Sequence, residues 1–427
     1  MTTASKLAAL LTAVTGPDLP VRLRAWDGSE AGPAGAPVLH LTSRRALRRL
    51  LWEPSELGIA QAYITGEVDV PGGAAELADG LRRVWQHARG TGTGTGPVRL
   101  SARQQARAAV LALRLGALGR RPTVPSTQAK LTGTLHTRAR DRAAIAHHYD
   151  LSNEFYGLIL DPAMAYSCGY YREPGYTLEQ AQRAKLDLIC RKLGLRPGLR
   201  LLDVGCGWGS LSLHAAEHYG AQVLGVTISQ QQHEFISKRI AERGLADRVE
   251  VRVQDYREIP AGRFDAVSSI EMGEHVGEHN YPAYAGVLFS HLAPGGRLLL
   301  QQMSRHAGTA PGGGAFIESY IAPDMHMRPL SETLGFLERA GFEIRDVQAL
   351  REHYVRTVEH WLQTFESHYS DAVAMVGEEM ARVWRLYLVG GGLTFEEGRM
   401  GVDQILAVRP SELGRSGLPA TPEWAAS

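Results

Sequence analysis

A glycine-rich turn between residues 201 and 210 constrains the fold of this chain more than any other segment. In Leu201-Leu-Asp-Val-Gly-Cys-Gly-Trp-Gly-Ser210, apolar residues precede Gly205, Gly207 and Gly209. The apolar run predicts a buried β-strand, and the glycines let the backbone turn sharply into a helix and approach a ligand closely. Ligands of open α/β sheets bind at the carboxyl ends of such strands. The segment therefore predicts a cofactor site.

The spacing of the glycines separates this turn from other nucleotide-binding motifs. The pattern is G-x-G-x-G, whereas dinucleotide-binding folds carry G-x-G-x-x-G and phosphate loops carry G-x-x-x-x-G-K-[ST]. No lysine follows to hold a phosphate, and Asp203 stands two residues before the first glycine. The pattern resembles the first motif of S-adenosylmethionine (SAM) methyltransferases, which implies SAM as the cofactor. The alternative is a turn that is needed only for packing.

Strands and helices alternate after this turn. Alternation of this kind predicts an α/β fold, a Rossmann-like and mainly parallel sheet with helices on both faces. The predicted strands are residues 201–204, 222–227, 249–253, 264–270 and 296–302, and the predicted helices are 210–218, 229–243 and 281–291.

Length and composition bound the remaining organisation. A chain of 427 residues predicts two or three domains, and a hydrophobic content of 44% suffices for a core. We predict a small α+β domain over residues 1–89, a flexible Gly/Thr-rich linker with a basic helix over 90–144, and a catalytic domain over 145–427. The net charge of +1 gives no reason to expect a nucleic-acid partner. Three cysteines form no disulfide framework, which favours the cytoplasm.

Further cofactor contacts are expected after the second and third strands. No acid ends strand two, so neutral hydrogen-bonding side chains are the candidates for the ribose: Thr227, Ser229, Gln230, Gln231 and Gln232. After strand three, Asp255 is the candidate acceptor for the adenine amine, and Tyr256 is the candidate cover for the ring. The alternative for both segments is an ordinary surface turn.

Motifs on either side of the glycine turn narrow the class of methyltransferase. These are His147-His-Tyr-Asp-Leu-Ser-Asn-Glu-Phe-Tyr156, Ala165-Tyr-Ser-Cys-Gly-Tyr-Tyr171 and Ser269-Ile-Glu-Met-Gly-Glu-His-Val-Gly277. Over roughly residues 130–410 the chain resembles the cyclopropane fatty acid synthase family, which includes the mycolic acid cyclopropane synthases. The residues before this region resemble the leading domain of longer bacterial members. The resemblance implies a seven-stranded methyltransferase sheet.

The resemblance also implies a substrate and a reaction. The substrate is a cis double bond in a phospholipid acyl chain, and methyl transfer from SAM leaves a carbocation that a base must deprotonate. Aromatic faces stabilise such cations. The candidates are Trp208, Tyr166, Tyr170, Tyr171, Tyr281, Tyr320 and Tyr354, and core packing is the alternative for each tyrosine.

Family members use bound bicarbonate as the base. By resemblance its ligands map onto Cys168, Glu274 and Tyr354, whereas Tyr166 and Ser167 match SAM contacts. His275, in the same motif as Glu274, is another candidate catalytic residue. Where the synthases carry His-Thr-Ile after strand five, this chain has Gln301-Gln302-Met303, which makes Gln301 a further candidate catalytic residue.

Glu271 departs from the family, in which glycine is common at this position. It stands three residues before Glu274, and two nearby carboxylates tend to raise one pKa, which suits proton transfer. We hypothesise that Glu271 replaces or supplements bicarbonate as the base. The alternatives are that Glu271 caps a helix or pairs with an arginine.

These departures bear on the product. Direct loss of a methyl proton closes a cyclopropane, whereas a preceding hydride shift leads to an exocyclic methylene. The segment Ile321-Ala-Pro-Asp-Met-His-Met-Arg328 resembles actinobacterial relatives that form 10-methylene stearoyl chains, precursors of 10-methylstearate. We therefore favour a 10-methylene product over a cyclopropane, with a separate reductase as a partner. Two rival readings are a SAM methyltransferase of a soluble small molecule and a non-catalytic lipid-binding protein.

The remaining expectations concern location and assembly. No run approaches the ~20 apolar residues of a membrane span, so a lipid-modifying enzyme must either bind the membrane surface or extract its substrate. We expect peripheral association with the cytoplasmic face of the membrane. Five arginines are candidate contacts to anionic headgroups: Arg103, Arg107, Arg114, Arg120 and Arg121. The alternative is a solvated helix face. The family resemblance makes a homodimer plausible. We expect no metal, because the histidine pairs His147/His148 and His275/His279 lack a closed ligand set.

Overall fold

The computed structural model describes residues 1–15, 19–90, 101–129, 137, 140, 151–422 and 424. The predicted Gly/Thr-rich linker at 91–100 and the pair His147/His148 lie outside the described residues. The chain forms two compact units that are interleaved in sequence. The N-terminal unit comprises Met1–Ala129, Gly314–Ile321 and Phe365–Leu393, and the large unit comprises Lys130–Gly313, Ala322–Thr364 and Thr394–Ser427.

The large unit is built on a seven-stranded sheet, which confirms the predicted α/β fold. Its strands are β5 (Arg200–Val204), β6 (Gln222–Thr227), β7 (Val249–Val253), β8 (Phe264–Ile270), β9 (Leu292–Ser304), β10 (Glu343–Ala349) and β11 (Gly401–Val408). Their order across the sheet is β10-β11-β9-β8-β5-β6-β7. Strand β11 is antiparallel to both of its neighbours, and the other pairs are parallel.

Helices cover both faces of this sheet because the strand residues alternate in direction. Leu201 packs into the core on one face and Leu202 into the core on the other. The first face is covered by α7 (Leu178–Leu193), α8 (Ser210–Tyr219) and α9 (Gln230–Glu242), and the second by α10 (Tyr281–His291) and α12 (Leu330–Ala340). The large unit also contains α6 (Asn153–Gly157) and the first residues of α13 (Arg351–Ser367).

The N-terminal unit packs helices around a small sheet of order β2-β1-β3-β4. Its strands are β1 (Arg22–Arg24), β2 (Glu30–Ala31), β3 (Val38–Leu41) and β4 (Val68–Asp69). Its helices are α1 (Thr3–Thr15), α2 (Arg44–Trp52), α3 (Glu56–Ile64), α4 (Gly73–Gly90), α5 (Ala102–Arg114), α11 (Ala315–Tyr320) and most of α14 (Tyr369–Glu396). The unit that contains the predicted domain 1–89 thus extends through the predicted basic helix and takes up two later segments. None of the described helices is long and apolar enough to cross a bilayer.

Candidate active site

A cavity in the large unit opens at the carboxyl ends of β5, β6 and β8. Parallel strands bring the residues that follow them to one edge of a sheet, where ligands bind. The wall includes the predicted glycine turn, the end of β6, the loop after β7 and the end of β8. Its lining residues include Tyr166, Ser167, Lys185, Asp203, Gly205, Gly207, Trp208, Thr227, Gln232, Asp255, Tyr256, Glu271, His275 and Asp324.

The three glycines of the turn differ in what surrounds them. All have left-handed backbones, with φ of 77° at Gly205, 55° at Gly207 and 82° at Gly209. A Cβ atom on Gly205 would lie 2.9 Å from Met272 Cγ, and one on Gly209 would lie 3.0 Å from Ile236 Cγ1. A Cβ on Gly207 would meet no atom within 4 Å. Gly207 therefore opens the cavity for a ligand, whereas Gly209, which is not part of the lining, allows α8 to approach α9.

Asp203 is held beneath the turn. Its carboxylate accepts hydrogen bonds from the hydroxyls of Ser212 (2.7 Å) and Ser268 (2.8 Å). Burial raises the pKa of Asp203, and the two hydroxyls oppose that rise. The hydrogen bonds fix the strand end from which the glycine turn departs.

The predicted ribose-binding segment divides into a part that lines the cavity and a part that does not. Thr227 and Gln232 line the cavity and bond to each other through Oγ1 and Oε1 at 2.7 Å. Ser229 caps α9 by accepting from the backbone N–H of Gln232. Gln230 bonds to Glu234 on the helix surface, and the side chain of Gln231 is exposed. Ser229, Gln230 and Gln231 therefore lie outside the lining because the helix turns them away.

Asp255 and Tyr256 both line the cavity, as the adenine prediction requires. Asp255 also caps a short 3-10 helix, accepting from the backbone N–H of Arg257 (2.9 Å), and it pairs with the Arg257 guanidinium at 2.7 Å. The Tyr256 ring packs edge-to-face on Tyr284 with centroids 5.4 Å apart. The Asp255 carboxylate is thus already oriented by Arg257.

Aromatic rings form a further wall of the cavity. Tyr166 and Trp208 line it, and behind them the centroid of Tyr156 lies 4.6 Å from that of Trp208. The centroid of Trp361 lies 5.2 Å from that of Tyr166. Such faces stabilise positive charge in a site that excludes water. Of the other aromatic candidates, Tyr170, Tyr171 and Tyr281 lie in the large unit away from the lining, and Tyr320 belongs to the N-terminal unit.

The carboxylate of Glu271 is the centre of the hydrogen-bonding network in the cavity. Its Oε1 accepts from the backbone N–H of Cys168 (2.8 Å) and from the Gln301 amide (2.8 Å). Its Oε2 accepts from the Tyr354 hydroxyl at 2.6 Å. Four residues that are far apart in sequence therefore meet at one carboxylate. Gln301 in turn accepts from the Gln404 amide at 2.9 Å, which fixes its orientation.

The Glu271 carboxylate engages donors that the family resemblance assigned to bicarbonate. Cys168 and Tyr354, two of the expected bicarbonate ligands, both donate to the Glu271 carboxylate. The third, Glu274, does not line the cavity and accepts from the backbone N–H of Met303. The donors that would hold bicarbonate are thus engaged, and the residues present do not fit a bound bicarbonate. Glu271 neither caps a helix nor pairs with an arginine among the described residues.

The two carboxylates differ in their electrostatics. Burial raises the pKa of Glu271, and the hydrogen bonds from Tyr354, Cys168 and Gln301 oppose that rise. Burial and the neighbouring charge of Glu271 raise the pKa of Glu274 to about 8. Among the described residues, no hydrogen-bond donor reaches the buried Oε2 of Glu274. With a pKa of about 8, Glu274 is mostly protonated at neutral pH.

Cys168 and His275 contribute differently from each other. The Cys168 thiol points away from Glu271 to the carbonyl oxygens of Gly169 (3.3 Å) and Leu350 (3.6 Å), so only its backbone N–H serves the site. Burial raises the pKa of this thiol well above its usual value. His275 lies at the end of a 3-10 helix (Gly273–His275) and lines the cavity.

Sequence reasoning missed Lys185, a buried lysine in the wall of the cavity. Its Nζ donates to the Ser167 hydroxyl at 2.9 Å, and its side chain is 1% exposed. Gln182, one helical turn earlier on α7, donates to the carbonyl oxygens of Ala165 (3.2 Å) and Ser167 (2.8 Å). Together Lys185 and Gln182 fix residues 165–167. The next residue, Cys168, donates its backbone N–H to Glu271. The sequence signal that could have identified Lys185 was a lysine and a glutamine three residues apart on the buried face of a helix.

Backbone strain is concentrated at this cavity. Among the described residues, the non-glycine residues with positive φ are Met164 (58°), Glu271 (51°) and Asp324 (64°). All three line the cavity. Such conformations are unfavourable and persist where the surroundings impose them, typically at functional sites. Asp324 is held by a bidentate pair with Arg140, at 2.6 and 2.9 Å.

The described residues contain no group of three or more His, Cys, Asp or Glu side chains placed to hold a metal ion.

Comparisons with known proteins identify the family of this chain. A family model described as mycolic acid cyclopropane synthetase matches residues 136–405. A "Probable fatty acid methyltransferase" of Pseudomonas putida is 36% identical over 426 residues, covering 98% of this chain and 99% of the relative. "Tuberculostearic acid methyltransferase UfaA1" of Mycobacterium tuberculosis is 30% identical over 416 residues, covering 92% and 89%.

A solved structure extends the comparison to the fold and the cofactor. Mycolic acid cyclopropane synthase CmaA1, complexed with SAH and CTAB, is 31% identical and superposes with a TM-score of 0.59. The match covers 62% of this chain and 97% of that one. SAM is thus the cofactor, and the chain belongs to the mycolic acid cyclopropane synthetase family, the SAM-dependent methyltransferases of lipid substrates.

Proposed function

We propose that this protein transfers a methyl group from SAM to the cis double bond of an oleoyl-type phospholipid acyl chain, and that Glu271 removes the proton that completes the reaction. The observation that carries the proposal is the Glu271 carboxylate, fixed by three donors in the wall of the SAM cavity. When bound, SAM supplies an electrophilic methyl group on a positively charged sulfur.

The lining residues suit a reaction that generates positive charge on an acyl chain. An alkene is a weak nucleophile, so the site must exclude water and align the double bond. The aromatic faces of Tyr166 and Trp208 would stabilise the acyl carbocation. The ionised carboxylate of Glu271 adds a negative charge on the same cavity, which favours the cation further.

The final step is a proton transfer to Glu271. A hydride first moves from the methylated carbon to the neighbouring cationic carbon, so that the positive charge comes to lie on the carbon that carries the new methyl group. Glu271 then takes a proton from that methyl group. The electron pair of the broken C–H bond becomes the C=C bond of an exocyclic methylene. Charge balances because the proton neutralises Glu271 and the cation becomes a neutral 10-methylene chain.

The relatives support the reaction class and the branched product. One carries the name fatty acid methyltransferase, and another is named for tuberculostearic acid. A cyclopropane, formed when the same proton is lost without the hydride shift, is the alternative product. Saturation of a methylene would require a separate reductase, which we propose as a partner.

Incubation with SAM and vesicles of oleoyl phospholipid, followed by mass spectrometry of the acyl chains, tests the proposal. We expect a gain of one CH2 group, and NMR of the purified chain should show the vinylidene protons of a methylene. Cyclopropane proton signals would contradict the proposed product while preserving methyl transfer. An unchanged acyl chain together with intact SAM binding would contradict the lipid substrate.

A further inference from the structure

The N-terminal unit carries an exposed face that the SAM cavity does not use. Helix α2 presents Arg44, Arg48 and Trp52 on one side, since they are spaced four residues apart. The Arg48 guanidinium donates to the carbonyl oxygens of Ala117 (2.9 Å) and Leu118 (3.1 Å). This side of α2 is therefore joined to the loop that follows α5.

Large apolar side chains lie open to solvent on this face. Trp52 is 54% exposed, Leu113 is 65% exposed and Leu118 is 49% exposed. The Trp52 indole N–H donates to the carbonyl oxygen of Gly119 at 3.1 Å, so its orientation is fixed. Single exposed apolar residues are common, but a fixed tryptophan beside leucines marks an interaction surface.

Arginines are concentrated in the chain segment that contains the two leucines. Residues 103–121 contain five arginines and no acidic residue. Arg103, Arg107 and Arg114 form one stripe of α5, whose opposite side buries Ala108 and Ala112 in the core. Arg121 pairs with Glu53 at 3.3 Å, whereas no described carboxylate lies within ion-pair distance of the stripe or of Arg120. We define the basic face as Arg44, Trp52, Arg103, Arg107, Leu113, Arg114, Leu118, Arg120 and Arg121.

We propose that the basic face docks the protein on an anionic phospholipid bilayer. Arginines attract the negative headgroups, tryptophan prefers the membrane–water interface, and the leucines reach the acyl boundary. A nucleic acid would match the arginines but would leave Leu113 and Leu118 exposed to solvent. The inference rests on the proposed function, because a phospholipid acyl chain is presented by a bilayer.

Vesicle flotation with the full chain tests the docking. The vesicles are oleoyl phosphatidylcholine alone, or the same lipid with phosphatidylglycerol as an anionic component. We expect the protein to float with the anionic vesicles at low salt, and to remain in solution with the neutral vesicles or at high salt, because salt screens exposed charges.

Matched variants locate the contact. The double variant Arg114→Glu/Arg120→Glu should reduce the bound fraction on anionic vesicles by roughly tenfold or more. Its control is Lys238→Glu/Arg252→Glu, which changes the net charge equally on the large unit and should float like the wild type. Trp52→Ala should weaken binding, whereas Met375→Ala, a control that is also half exposed, should not.

Activity separates the docking from the chemistry. The double variant should retain methyl transfer to detergent-dispersed oleoyl lipid and lose it on vesicles. Flotation of the wild type without methyl transfer to any lipid would overturn the proposed function but support the docking face. Three results would overturn the docking: equal flotation of the double variant and its control, displacement of the wild type from vesicles by equimolar duplex DNA, or loss of a dimer in the double variant with unchanged flotation.

Discussion

At the scale of single residues, the glutamate at position 271 distinguishes this site from the pattern of the family. Where family members commonly carry glycine, this chain carries Glu271, and its carboxylate takes the two hydrogen bonds that resemblance assigned to bicarbonate. In the mechanism that we propose, the base is then part of the polypeptide and cannot dissociate. The strained backbone at Glu271, with φ of 51°, follows from this replacement, because glycine adopts that conformation freely.

The first prediction contrasts the two carboxylates. Glu271→Gln should lower kcat by about 10²–10⁴-fold, because an amide cannot accept the proton. Glu274→Gln should keep most of the activity, since the pKa of about 8 leaves Glu274 protonated at neutral pH and an amide resembles a neutral acid. Steady-state kinetics with SAM and oleoyl lipid measure both. Near-full activity of Glu271→Gln would rule out Glu271 as the base.

Added bicarbonate provides a second readout of the same idea. The wild type should be insensitive to bicarbonate depletion, because its ligand positions are occupied by Glu271. In Glu271→Gly, the cavity gains space where the carboxylate was, and added bicarbonate should restore part of the lost activity. Strong inhibition of the wild type by bicarbonate removal would contradict the replacement.

At the scale of elements, α7 supplies buried charge to the cavity. The positive charge of Lys185 lowers the pKa of Glu271, although burial dominates and raises it. Burial likewise lowers the pKa of Lys185, and the charge of Glu271 opposes that change. The helix therefore positions the 165–168 segment, and its lysine opposes the rise in the pKa of Glu271.

The second prediction is a shift of the pH–rate profile in Lys185→Met. Loss of the positive charge raises the pKa of Glu271, so a smaller fraction is ionised at neutral pH. Activity should fall at pH 7 and recover in part as the pH increases. The control is Lys192→Met, seven residues later on α7, where the lysine is buried against Asp346 outside the cavity. A uniform loss at all pH values would indicate a structural role alone.

The third prediction separates folding from binding within the glycine turn. Gly209→Ala should lower the unfolding free energy by about 1–3 kcal/mol, because a strained φ adds to the close approach of Ile236. Gly207→Ala should cost less stability but should weaken SAM binding, because its Cβ projects into open space. Thermal unfolding and isothermal titration calorimetry measure the two effects. Equal losses of affinity in both variants would contradict this division.

The sequence predicted the elements around the glycine turn well, because the apolar runs and glycines that define them are local. It did not locate β10 and β11. Strand β10 (Glu343–Ala349) is polar and half-exposed, and it lies at the edge of the sheet. The meeting of Gln301, Tyr354 and Cys168 at Glu271 could not be predicted either, since it depends on the packing of four separate segments. The sequence indicated these residues only singly: the resemblance named Cys168 and Tyr354, and departures from the family singled out Gln301 and Glu271.

At the scale of the whole molecule, each of the two units is built from three separate stretches of the chain. The N-terminal unit includes residues 365–393, which lie far from its first 129 residues. Within this unit, Arg382 of α14 donates to the carbonyl oxygens of Tyr63 (2.6 Å) and Val68 (3.1 Å) and pairs with Asp69 at 2.9 Å. Linear domain boundaries therefore cannot describe this unit.

The fourth prediction follows from that arrangement. A fragment of residues 1–129 should not fold, because the carbonyl oxygens of Tyr63 and Val68 would lose the Arg382 guanidinium and the core would lose α14. In the full chain, Arg382→Met should lower the melting temperature of the N-terminal unit, and calorimetry and circular dichroism measure both effects. A cooperative unfolding transition of the isolated fragment would contradict the expectation. The exposed Arg339→Met serves as the control.

Because β11 pairs with β9, one part of the site depends on a strand that is synthesised late. Gln404 on β11 orients Gln301, and Gln301 orients the base. A ribosome releases the glycine turn, Cys168, Glu271 and Gln301 well before β11 emerges. A growing chain can therefore assemble the cofactor cavity while its proton acceptor still lacks final alignment, so the ability to hold SAM should precede catalytic competence during synthesis.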